Sequence, residues 1–247
     1  MKTSDLNEYQ QYYLKGFTSG VFLKSDIFDR MLSVVNLLKS NKIKEGYRWE
    51  EKYSNTQDFR PSVHEYDSCF IDILFENNIP ETLSKLTGRN LTLAHIQLRK
   101  SNKGPSYMPW HRDLYLRDDD VIGNVPPAHK IIFYISEKDE PKLSIVPGSH
   151  LCLFQDQKSN QFIMPGFSGY DAEIMKITGA ANWKSSERGY ILFNTSLLHN
   201  VIPDTSDSGS LRVIYSFVED FQFKSNFENN PVHDKLNRDY KEMLDNA

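Results

Sequence analysis

Cysteine is nearly missing: Cys69 and Cys152 are the only two in 247 residues. They stand far apart and without C-x-x-C spacing, so neither a disulfide framework nor a thiolate zinc site is expected, and both read as small buried hydrophobes. No apolar run approaches the roughly 18 residues that a membrane-spanning helix needs. The opening Met1-Lys2-Thr3-Ser4-Asp5-Leu6-Asn7-Glu8 lacks the apolar segment of a secretory signal. A cytoplasmic location and no membrane partner are therefore expected. Positive charge is not in excess, since 29 Lys+Arg face 33 Asp+Glu for a net charge of -4, which argues against nucleic acid as a partner. With 12 Gly, 11 Pro, no repeat and no low-complexity linker, the chain is neither collagen-like nor disordered, and one domain over 1–247 is expected.

Aromatics are plentiful instead, with 15 Phe and 13 Tyr, which suits a sheet-rich core. Residues 1–89 read as mostly helical. Ser25 is a candidate N-cap followed by Ile27, Met31, Val34, Val35 and Leu38 at helical spacing. Further helices are predicted from Pro61 to Phe75 and from Pro80 to Leu86, the latter stopped by Gly88. From Asn90 the pattern changes to short β-like runs: Leu91–Leu98, Met108–Leu116, Lys130–Ser136, Leu143–Val146, Tyr190–Phe193 and Leu211–Val218. The stretch 151–188 is too irregular for one element and reads as a lid or substrate loop. Residues 219–247 form a tail with a terminal helix starting at Pro231. Helices first and strands later predict a mainly β, α+β fold in which helices buttress a sheet core over 90–218.

Trp110-His111-Arg112-Asp113 is the sharpest chemical feature. On a strand, residues i and i+2 share a face, so His111 and Asp113 project together as two legs of a metal site. A second imidazole from a distant strand would complete the 2-His-1-carboxylate triad that leaves positions open on Fe(II). His199, delivered by the apolar segment Ile191 to Val201, is the candidate third leg. In Leu211-Arg212-Val213-Ile214-Tyr215-Ser216, alternation puts Arg212 on one face with Ile214 and Ser216. A guanidinium on so apolar a strand wants a carboxylate, and a dicarboxylate cosubstrate would supply one. His111-Arg112-Asp113-Leu114 also matches the start of a protein-kinase catalytic loop, but Asp118 stands where the Asn belongs and no Gly-rich phosphate loop is present.

Together with Leu143-Ser144-Ile145-Val146-Pro147-Gly148-Ser149-His150, these segments make the chain resemble the phytanoyl-CoA dioxygenase superfamily of Fe(II)- and 2-oxoglutarate-dependent oxygenases, over roughly Leu91 to Phe217. The resemblance implies a double-stranded β-helix, the cupin-like jelly roll, with His111, Asp113 and His199 as catalytic iron ligands and Arg212 gripping the distal carboxylate of 2-oxoglutarate. It further implies cosubstrate contacts from Gln97 and Arg99 on the preceding strand and from Asn194 before the distal histidine. Fe(II), 2-oxoglutarate and O2 are the implied cofactors. Hydroxylation of an unactivated C–H bond in a small molecule, with release of succinate and CO2, is the implied reaction. Asp113 occupies the position that halogenating relatives leave to chloride. The chain departs from the family pattern at Glu140-Pro141-Lys142, where a Gly is common, at Val201, where a small hydroxyl is common, and in the slightly longer spacing to Arg212.

Tyr107, Trp110, Phe133 and Tyr134 are candidate pocket residues, His150 reads as structural, and His64, His129 and His233 read as solvent-exposed. Two other readings of the same residues are a cupin-like metal enzyme that does not use 2-oxoglutarate and a non-catalytic jelly-roll binding module. An intact triad facing a buried arginine argues against both, because an unpaired buried charge is costly.

Overall fold

A computed structural model describes residues 7–104, 110–113, 128–135, 140–151, 154–155, 162–163, 180–204 and 209–246. Most of the lid or substrate loop expected within 151–188 lies outside them, as do Tyr107, Cys152 and most of the strand expected over Met108–Leu116.

The expected helices form where their caps place them. Helix α1 (Glu8–Lys15) opens on a capping box between Asn7 and Gln10 and ends on Gly16. Helix α2 (Asp26–Lys39) starts where the Ser25 side chain accepts the Phe28 N–H, and it buries Phe28, Met31, Val34, Val35 and Leu38. The single helix expected over Pro61–Phe75 is instead two pieces, α3 (Val63–Tyr66) and α4 (Cys69–Glu76). Asp67 is extended between them and its carboxylate accepts the Cys69 N–H at 3.0 Å, so the side chain competes with helix continuation. Helix α5 (Ile79–Thr87) stops at Gly88, whose φ of 68° is in the left-handed region.

The first ninety residues also contain three strands that the helical expectation missed. These are β1 (Phe17–Val21) and the hairpin β2 (Arg48–Tyr53) and β3 (Thr56–Arg60). They join β4 (Thr92–Ser101), β5 (His129–Ile135), β10 (Gly189–Asn194) and β12 (Ser210–Val218) in a seven-stranded sheet of order β1-β10-β5-β12-β4-β3-β2. A second sheet has order β11-β6-β9, from β6 (Pro141–Ile145), β9 (Ala181–Lys184) and β11 (His199–Val201). A two-stranded ribbon pairs β7 (Phe154–Gln155) with β8 (Phe162–Ile163). All these pairings are antiparallel. Helices α6 (Asp220–Asn226) and α7 (Pro231–Asp245) close the chain. No helix among the described residues is long and apolar enough to cross a membrane.

Alternation divides the large sheet into two faces. Ile131, Phe133, Val213, Tyr215 and Phe217 pack with Met31, Leu38, Phe70, Ile73 and Tyr240 against the helices. Ile132, Tyr134 and Ile214 turn the other way and pack with Leu143 and Ile145 of the second sheet. Strand β12 is therefore buried along its whole length. Phe133, a candidate pocket residue, belongs to the helix side. Cys69 is buried, as expected.

His64 and His129, expected at the surface, are buried, because their neighbours in space are apolar helices and sheet. His129 Nδ1 lies 2.6 Å from Tyr12 Oη, and His64 Nδ1 lies 2.5 Å from Ser62 Oγ. Burial lowers His64 to about 4 and His129 to about 3, so both are neutral at pH 7. An unfolded histidine titrates near 6.5, so the unfolded chain takes up protons that the folded one refuses. The stability these rings permit is complete above about pH 6.5 and is lost as pH falls from there towards 3–4. Denaturant unfolding at pH 5 should give up to about 2 kcal/mol less stability per histidine than at pH 7. A flat profile between those pH values would contradict this account.

Candidate active site

His111 and His199 are neighbours because their backbones exchange both hydrogen bonds of an antiparallel bridge: His111 N to His199 O at 2.9 Å and His199 N to His111 O at 3.0 Å. The Asp113 N–H donates to Thr195 O at 2.9 Å, which places its carboxylate on the same face. His111 Nε2 lies 3.7 Å from Asp113 Oδ1 and His199 Nε2 lies 3.4 Å from Asp113 Oδ2. The possible ligand atoms of all three side chains lie within 4.8 Å of one another. His199 Nδ1 is 2.8 Å from Leu197 O, an atom that only accepts, so Nδ1 carries a proton and Nε2 is the ring atom that faces Asp113 and the cluster. Burial pushes the Asp113 carboxyl up, but Lys130 and the two imidazoles outweigh it and hold the group well below its usual range. Two buried imidazoles and an ionised carboxylate converging on one point are the donor set of a divalent transition metal, so the residues fit such an ion.

From this cluster a cavity of about 160 Å³ runs between the two sheets to Arg212, lined on the way by Lys130, Ile132, Tyr134, Leu143 and Ile214. Arg212 is 2% exposed. Its register partners are Arg99 on one side and Tyr134 on the other, and its guanidinium carbon lies 5.7 Å from the Tyr134 ring centre. Burial, then the nearby Arg99 cation, pull Arg212 down to about 9, opposed by Asp58 and Tyr53, so it is still charged at neutral pH.

Gln97 and Arg99 line the same cavity, yet both turn towards Asp58. Arg99 Nε and Nη2 donate to its two carboxylate oxygens at 2.6 and 3.0 Å, and Gln97 Nε2 donates at 2.6 Å. Asn194 does not line the cavity. Its side chain accepts the Ser196 N–H at 2.8 Å and so shapes the turn that delivers His199.

Three contributors were not picked out from sequence. Lys130 Nζ donates to Asp113 Oδ2 at 2.7 Å, and its signal was a lysine on the inward face of the apolar strand Lys130-Ile131-Ile132-Phe133-Tyr134. Asp58 had no local signal, since its partner Arg99 lies 41 residues on. Arg112, 1% exposed, donates from Nη1 to Ser149 O at 2.9 Å and also to Ser196 O. It thereby ties the Pro147-Gly148-Ser149-His150 turn to the loop before His199, while Ser149 Oγ accepts the Leu198 N–H at 2.8 Å. His150 Nε2 lies 2.8 Å from Tyr13 O, in agreement with a structural role. Trp110 packs on Val146 and Leu198 beside the site.

No protein-family model matches the chain, and no curated protein matches it. Solved structures do. The epimerase SnoN, in complex with Fe3+, alpha ketoglutarate and a nogalamycin compound, superposes with a TM-score of 0.62 at 13% identity, covering 85% of this chain and 82% of SnoN. HygX from Streptomyces hygroscopicus, with nickel, 2-oxoglutarate and hygromycin B bound, gives a TM-score of 0.62 at 12% identity over 90% of this chain and 88% of HygX. The chain has their fold. It also covers 86% of its own length but only 49% of EvdMO1, at a TM-score of 0.59 and 17% identity, so it spans about half of that protein. The double-stranded β-helix expected from the sequence is thus the architecture, and the triad sits between its two sheets.

Proposed function

We propose that this protein is an Fe(II)- and 2-oxoglutarate-dependent oxygenase that hydroxylates a C–H bond of a small molecule. The observation that carries this reading is the arrangement of one cavity, with a two-histidine, one-carboxylate cluster at one end and the buried guanidinium of Arg212 at the other. The fold likeness supports it, since SnoN and HygX hold a metal and 2-oxoglutarate.

His111, Asp113 and His199 would hold Fe(II), and Arg212 would hold the distal carboxylate of 2-oxoglutarate through paired N–H donors. When bound, iron and cosubstrate supply the oxidising chemistry, in which 2-oxoglutarate and O2 become succinate and CO2 as one oxygen atom enters the substrate. The three ligands converge from one side of the cavity and leave the other side for cosubstrate and O2. Ile132, Leu143, Phe193 and Ile214 supply apolar wall between the charged groups of the cavity, which limits bulk water near the oxidant and lowers the dielectric in which those charges act. Asp113 fills the carboxylate position, which favours hydroxylation over halogenation. SnoN acts as an epimerase on the same fold, so the oxidative outcome is read from the product rather than from the architecture.

Anaerobic titration with Fe(II), then with 2-oxoglutarate, tests the reading. A weak visible charge-transfer band should appear only when both are present, and admission of O2 should yield succinate. Iron binding without a band would transfer support to a metal enzyme that does not use 2-oxoglutarate. Failure to bind iron would remove the catalytic reading altogether.

A further inference from the structure

Two arginines stand side by side in the cavity wall, at the end away from the metal-ligand cluster, where one carboxylate is to be held. Arg99 and Arg212 are register partners on adjacent strands, both buried, at 6% and 2% exposure. Two such cations together would attract any small anion. The hairpin β2–β3 supplies a correction: Asp58, 1% exposed, is the register partner of Arg99 on its other side. Its oxygens take both N–H donors that Arg99 points at it and the Gln97 amide as well. Arg60 Nη2 stands 3.6 Å away, on the outer side. The chain Asp58–Arg99–Arg212 is therefore a row of alternating and then like charge running across three strands into the cavity.

We propose that Asp58 is a positioning and specificity-determining residue for the cosubstrate: by holding and cancelling Arg99, it leaves Arg212 to define the anion site. That site then takes a carboxylate and discriminates against more highly charged anions such as phosphate. The inference rests on the reading of Arg212 as the grip for 2-oxoglutarate. Asp58 touches neither substrate nor metal and acts through Arg99. Coulomb's law gives its sign, because each added unit of positive charge favours a dianion about twice as much as a monoanion.

The test is a double-mutant cycle on the Fe(II)-loaded protein under anaerobic conditions, reading 2-oxoglutarate affinity by the charge-transfer band and phosphate as a competitor. Manganese(II) affinity serves as a control that the triad is intact. Arg99→Gln alone uncovers the Asp58 charge beside Arg212 and should weaken 2-oxoglutarate by about tenfold or more. Asp58→Asn alone should make phosphate a competitor at concentrations about tenfold lower than in the wild type. Asp58→Asn with Arg99→Gln removes both charges and should return both readings to near the wild-type values.

A double variant as weak for 2-oxoglutarate as Arg99→Gln alone would overturn the inference, because Arg99 would then be a direct contact. Unchanged phosphate competition in Asp58→Asn would also overturn it. If Asp58→Asn does not fold, the comparison of Arg99→Gln with the double variant still decides the question. A wild-type protein that forms no band with 2-oxoglutarate would instead defeat the functional reading beneath it.

Discussion

His199→Ala should reduce 2-oxoglutarate-dependent succinate formation by at least about a thousandfold, equivalent to about 4 kcal/mol. The size follows from what the ring does. His199 supplies one of three converging ligand atoms, and its orientation is locked by the Nδ1 hydrogen bond to Leu197 O and by the Phe193 ring at 5.0 Å. Alanine deletes the ligand and leaves that carbonyl without its donor, a structural loss of only about 1–2 kcal/mol. The variant should therefore fold, retain near-normal thermal stability and fail to bind Fe(II) stoichiometrically. His150→Ala, which loses the contact to Tyr13 O outside the cavity, is the matched control and should keep its iron. Iron binding and turnover at wild-type levels in His199→Ala would sink the assignment.

Arg212→Met should raise the concentration of 2-oxoglutarate needed for half-maximal turnover by about a hundredfold or more, since it removes a buried charge-assisted contact worth about 3 kcal/mol. Turnover at saturating cosubstrate should fall much less, and Fe(II) affinity should not change, because Arg212 is at the far end of the cavity from the triad. Methionine relieves the desolvation of the guanidinium and its repulsion with Arg99 but gives up its attraction to Asp58 and Tyr53 and its contact with Tyr134, so these effects offset and the apoprotein should stay folded with a Tm within a few degrees of the wild-type value. Equal cosubstrate requirements in wild type and Arg212→Met would instead favour a metal enzyme independent of 2-oxoglutarate.

Local signals were readable where local physics decides. Ser25 and Gly88 bracket their helices because a cap bonds groups only a few residues away. Alternation in β12 predicted that Arg212, Ile214 and Ser216 share a face, and the i, i+2 spacing of His111 and Asp113 put imidazole and carboxylate together. The strands β2 and β3 escaped notice because Arg48-Trp49-Glu50-Glu51-Lys52-Tyr53 is mostly charged, its charges are exposed or half-exposed, and only Trp49 of its apolar residues packs on the helical core. So polar a strand carries no local signal, because only its pairing with β3 makes it one. Long-range partners were illegible for the same reason: Asp58 meets Arg99, and Lys130 meets Asp113, only through sheet register. His129 looked solvated because Lys130 follows it, yet alternate residues of a strand belong to different surroundings.

The bridge between His111 and His199 fixes the distance between the two imidazoles by backbone hydrogen bonds rather than by the ion itself. Arg112 braces the same loop from behind, using carbonyl groups that no metal touches. On the proposed assignment, loss of iron to a chelator should therefore be a local and reversible event. Stripped protein should then be recharged without passing through an unfolded chain, in contrast to small zinc domains whose structure dissolves with their ion.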